Sequence, residues 1–89
     1  MDEEHGEEFD LVFEHALDTL DRATMALHLS HSAPNWAERV RFGRQALEGF
    51  TGALAQLEQV EEHIRATESW RVWREEAQKG ISSSRKLLL

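Results

Sequence analysis

Two interleaved seven-residue repeats limit what this chain can become. Val40, Leu47 and Leu54 recur every seven positions, and Phe50, Leu57 and Ile64 do the same three positions on. Spacings that alternate between three and four place all six on one side of an α-helix and on neither face of a strand. Such a stripe gains stability only when something apolar covers it, so a cover must come from elsewhere in the chain or from a second copy.

The preceding segment supplies one. Phe9, Phe13, Leu17, Leu20, Thr24 and Leu27 mark a second helical face, and neither Gly nor Pro interrupts it before Pro34. Proline pushes Ala33 out of the helical region, and Asn35 with Glu38 three residues later has the form of a capping box. Ser32 is a rival cap a few residues away. Helix 1 is therefore expected over about 7–32 and helix 2 over about 35–66. If the two fold back about Ala33-Pro34, facing residues have numbers summing to about 67, which pairs Leu27 with Val40, Leu20 with Leu47, Leu17 with Phe50 and Phe13 with Leu54.

Helix 2 carries Gly43, Gly49 and Gly52, each costing about 0.5–1 kcal/mol relative to alanine. Close approach of another helix along Gly43, Ala46, Gly49 and Ala53, matched by Ala16, Ala23 and Ala26, accounts for them; a kink near Gly49-Gly52 is the competing account. Beyond Ile64 the stripe changes phase to Ala66, Trp70, Trp73 and Ala77. That predicts a third helix, or a continuation, over about 67–79, with Thr67 or Ser69 as cap and Gly80 after its end. Residues 1–6 read as a flexible acidic lead-in, 7–79 as one helical domain and 80–89 as a flexible basic tail. Val12, Met25, Leu29, Phe42 and one or more tryptophans would stay on partly open faces. The expected fold is thus all-α: an antiparallel helical hairpin with a short C-terminal helical extension, pairing as a homodimer into a four-helix bundle with a coiled-coil-like seam.

At 89 residues the chain is one domain at most and buries only about 60–65% of its unfolded surface, which also favours self-association. It has no cysteine, which excludes disulfide scaffolds, thiolate metal sites and thiol catalysis. No apolar run approaches the roughly 20 residues of a membrane span, and Met-Asp-Glu-Glu is unlike a signal peptide, so a soluble cytoplasmic protein is expected. Eight arginines against two lysines suit a GC-rich bacterial or phage genome. The net charge of −7 is unevenly spread: residues 1–21 hold nine acids and no Lys or Arg, while 63–89 hold six bases and three acids.

Five histidines bring metal binding into consideration. His28 and His31 share a helical face, and the expected register brings His5 near His63. The Glu-x-x-His pairs of di-iron bundles and the His-Glu-x-x-His motif are absent, so these four are weak ligand candidates, and capping at a helix end is the stronger account of His28 and His31. No nucleophilic triad, phosphate loop or cofactor motif is present, so no catalytic residue and no cofactor is expected. Trp70-Arg71-Val72-Trp73-Arg74 interleaves aromatic and basic side chains; Trp70, Trp73, Arg71 and Arg74 are the candidate partner contacts, with Asp2, Glu3 and Glu4 steering a basic partner. The expected function is a non-enzymatic protein-protein interaction module, such as an adaptor, a regulatory subunit or a small inhibitor. The alternatives are a subunit of a nucleoprotein assembly, contacting nucleic acid through Arg39, Arg41, Arg44, Arg71 and Arg74, and a metal-binding helical bundle.

Overall fold

The computed structural model describes residues 11–89. The expected acidic lead-in, the start of helix 1, and with them Asp2, Glu3, Glu4 and His5 lie outside the described residues. Those described form four helices and no strand: α1 (Leu11–Ser32), α2 (Trp36–Leu57), the single turn α3 (Glu62–Arg65) and α4 (Glu68–Leu88). No described helix is long and apolar enough to cross a membrane.

The break between α1 and α2 follows the local chemistry. Asn35 has an extended backbone, and its side-chain oxygen accepts the Glu38 amide at 2.9 Å. That satisfies one of the donors a first helical turn leaves without a partner. Ser32, the rival cap, belongs to α1, where its hydroxyl donates back to the His28 carbonyl at 2.8 Å.

Burial follows the small residues as much as the large ones. On α1 the buried positions are Ala16, Leu20, Ala23, Ala26 and Ser30; on α2 they are Gly43, Ala46, Phe50, Ala53 and Leu57. A methyl group on Gly49 would lie 2.8 Å from the Ala23 Cβ, and one on Gly43 would lie 3.5 Å from the Ser30 hydroxyl. Contacts thus descend α1 as they climb α2, between residues whose numbers sum to 69, 72 or 73. These sums lie two to six above the 67 expected for the large side chains. Small faces let the two backbones approach more closely than leucine pairs allow, which gains dispersion contacts along both helices. The approach is also near enough for the Ser30 hydroxyl to donate across the interface to the Arg39 carbonyl at 2.7 Å.

The close-approach account therefore fits Gly43 and Gly49, whereas Gly52 has nothing within 4 Å of where its side chain would be. Of the expected seam, Leu20, Phe50, Leu57 and Ile64 are buried. Phe13, Leu27 and Leu54 are half-buried against the core, and Leu17, Val40 and Leu47 are half-buried.

Helix α2 ends at Leu57, well short of the expected 66. Val60 and Ile64 still turn inward, but from a turn and from α3. The carbonyl of Leu57 sits in a last turn with no intrahelical partner left, and it accepts the Trp70 indole N–H at 2.8 Å. Thr67 caps α4, its hydroxyl accepting the Trp70 amide at 3.2 Å and donating to the Ile64 carbonyl at 2.6 Å.

From there α4 continues for 21 residues, through Gly80 to Leu88. Gly80 is thus interior to a helix, and the segment expected as a flexible tail is helical. The reason lies across the interface: the Phe50 ring occupies the space a Cβ on Gly80 would need. Burying an aromatic ring outweighs the roughly 1 kcal/mol that glycine costs inside a helix. Further along, Leu87 and Leu88 lie against Gly43. Trp70 by Leu57, Gly80 by Phe50 and Leu87 by Gly43 place α4 along nearly the whole of α2. Both outer helices pack on α2 and touch each other little, which leaves a groove between them.

Candidate functional site

The groove between α1 and α4 holds about 840 Å³ near the start of both helices. Leu17, Leu20 and Trp73 give it an apolar floor, and Glu14, Asp18, Asp21 and Glu76 rim it with four carboxylates. The α1 side chains come from the turns facing α4; Trp73 and Glu76 come from the α4 turn after Trp70. Trp73 is 36% exposed. Asp18 pairs with Arg22 at 2.9 Å, but both are well exposed, so the pair contributes little and leaves the rim acidic.

A second groove of about 470 Å³ opens at the other end, lined by His31, Trp36, Arg39, Ser83, Lys86 and Leu87. It contains no carboxylate. The contrast extends to the whole molecule. Divided at the level where Ala23 meets Gly49 and Phe50 meets Gly80, residues 11–22 and 50–80 carry nine Asp and Glu against five Lys and Arg. Residues 23–49 and 81–89 carry two against five. The described chain is acidic at one end and basic at the other.

The candidate partner contacts separate sharply. Trp70 is buried, and its indole N–H donates to the Leu57 carbonyl within the molecule. Trp73, three residues on, lines the acidic groove. The Arg74 Nε donates to Glu58 at 3.2 Å and its guanidinium lies 5.7 Å from the Trp70 ring, so it belongs to the α2–α4 contact. Arg71 stands 3.5 Å from Glu68, both exposed. Arg39, Arg41 and Arg44 sit at the basic end, Arg41 over the Phe42 ring at 4.9 Å. The residue that sequence reasoning passed over is Trp36, 61% exposed at the first position of α2. Its place directly after the Asn35 cap, on the first turn next to the helix-to-helix connection, was the available signal.

His28 and His31 are exposed on the last turns of α1, and His63 is exposed on α3. Among the described residues no three His, Asp or Glu side chains come together as a metal ion would require. Every described Asp and Glu is exposed. Carboxylates in that setting suit recognition of charge more than proton transfer, which calls for a partly apolar enclosure. No protein-family model matches the chain, and neither a search of curated proteins nor one of solved structures finds a match.

Proposed function

We propose that this chain is a non-enzymatic protein-protein interaction module whose α1–α4 groove takes a basic amphipathic helix of a partner protein. The observation that carries this is the groove itself, with Leu17, Leu20 and Trp73 beneath a rim of Glu14, Asp18, Asp21 and Glu76. Apolar side chains of the guest would cover the floor while its Lys and Arg meet the rim, the usual division of labour when a helix lies in a groove. The charge would set the association rate and the choice of partner more than the affinity.

The test uses a labelled helical peptide with Leu on one face and Lys on the other, and its counterpart with Glu in place of Lys. Binding of the first alone, weakened by Trp73→Ala and by joint Asp18→Asn, Asp21→Asn and Glu76→Gln, is the expected result. Equal binding of both peptides, or indifference to these substitutions, would sink the proposal.

The same reading includes self-association, in which α1 and α2 act as an antiparallel hairpin and copies pair as a dimer. Leu11, Met25 and Leu29 support it, being 71%, 60% and 44% exposed on α1. With three long helices in each copy, pairing would unite six long helices, more than the four-helix bundle expected from the sequence. Light scattering should give a mass near twice 10.3 kDa; a monomer at micromolar concentration defeats the dimer and leaves the groove untouched.

A further inference from the structure

We propose that the groove at the basic end is a second site, which takes single-stranded nucleic acid by stacking a base on Trp36 and holding the adjoining phosphates with Arg39 and Lys86. Four observations meet there. Trp36 is 61% exposed and borders the groove at the first turn of α2, so an indole face is open beside bound backbone. The groove's charged residues are Arg39 and Lys86, and no acid lines it. Arg39 lines the groove while half-buried, and its Nε has no hydrogen-bond partner in the protein, so no ion pair or side-chain acceptor at that atom ties the guanidinium down. The guanidinium nitrogens that reach the groove can donate to phosphate oxygens.

The fourth observation is the surrounding field. Arg41, Arg44 and Arg85 lie in the same half of the molecule, which carries five Lys and Arg against the two acids Glu38 and Glu48. At the opposite end Arg74 is tied to Glu58, and Arg71 stands beside Glu68 among a majority of acids. The interleaved aromatic-basic run Trp70–Arg74 is therefore not the place where nucleic acid would bind. An exposed aromatic face among cations is the pattern that stacks unpaired bases, whereas an acidic peptide has no use for the indole and a duplex keeps its bases stacked on one another.

The experiment measures anisotropy of a labelled oligo-dT or oligo-U on the full chain at low salt. Micromolar binding is expected. With about three phosphates engaged, affinity should fall roughly fifteen- to twentyfold between about 50 and 200 mM salt. Trp36→Ala, at an exposed site that leaves the core intact, should weaken binding at least about fivefold, in line with the stacking of one base. Lys86→Glu should weaken it further, while Arg71→Gln at the acidic end should leave it unchanged. Far-UV circular dichroism establishes that each variant is folded. Absence of binding at low salt overturns the proposal. So does full affinity in Trp36→Ala, binding of a duplex or a lone mononucleotide as tight as that of the strand, or equal competition by a poly-Glu peptide.

Discussion

Helix α2 meets α1 through small residues brought close together, with Ala23 against Gly49 and Ser30 against Gly43, and it meets α4 by dropping the Phe50 ring into the gap left by Gly80. At Gly49 the first contact has no room for an added atom. The second depends on one large side chain and on the absence of another. The first interface should therefore fail by overfilling at Gly49, and the second either by overfilling at Gly80 or by emptying at Phe50.

The largest expected effect tests the emptying. Phe50→Ala should cost about 3–5 kcal/mol in denaturant unfolding, since it removes a buried ring and leaves a cavity. A loss below about 1 kcal/mol would place the core elsewhere.

Gly80→Ala comes next, at about 1–3 kcal/mol, because the Phe50 ring must give way. In a Phe50→Ala background the same change should become neutral or favourable, because the clash is gone and alanine suits a helix better. Additive losses would mean that the two residues do not meet.

Trp70→Phe should cost about 1–2 kcal/mol by stranding the buried Leu57 carbonyl, and a change within error would show that water replaces the indole.

The smallest effect concerns sign. Gly52→Ala, into open space, should gain up to about 1 kcal/mol, while Gly49→Ala should lose about that much against Ala23. Gains at both positions would remove the overfilled interface from the account.

Much of this was legible in residues that act locally. The Asn35 cap, the helical period of each arm, the inward faces of Leu57 and Ile64 and the small-residue stripe all follow from spacing and capping chemistry. The register was not legible, because the large seam and the small stripe on α2 each imply a pairing, and only their competition in three dimensions selects the small one. The end of α2 at Leu57 was hidden because neither Gly nor Pro marks Glu58-Gln59; what meets the Leu57 carbonyl is an indole 13 residues away. Gly80 misled in the other direction, since glycine after a helix and glycine beneath a neighbour's ring look alike in one dimension. Trp70, Ala77 and Ser84 do repeat every seven residues, and reading serine as a buried position would have extended α4 to its observed length. The site was partly visible: Trp73 and the acids of α1 stood out, but their meeting with Glu76 across two helices depends on a contact that no spacing records.

The scant contact between α1 and α4 also shapes how the molecule comes apart. Each outer helix is fastened along a single flank, so either can loosen while the other stays in place. Amide protons of α1 and α4 should exchange with solvent through such partial openings, whereas those in the middle of α2 must await collapse of the entire domain. The slowest-exchanging amides from Ala46 to Ala53 would then report the full unfolding free energy, a gradient running outward from one central rod.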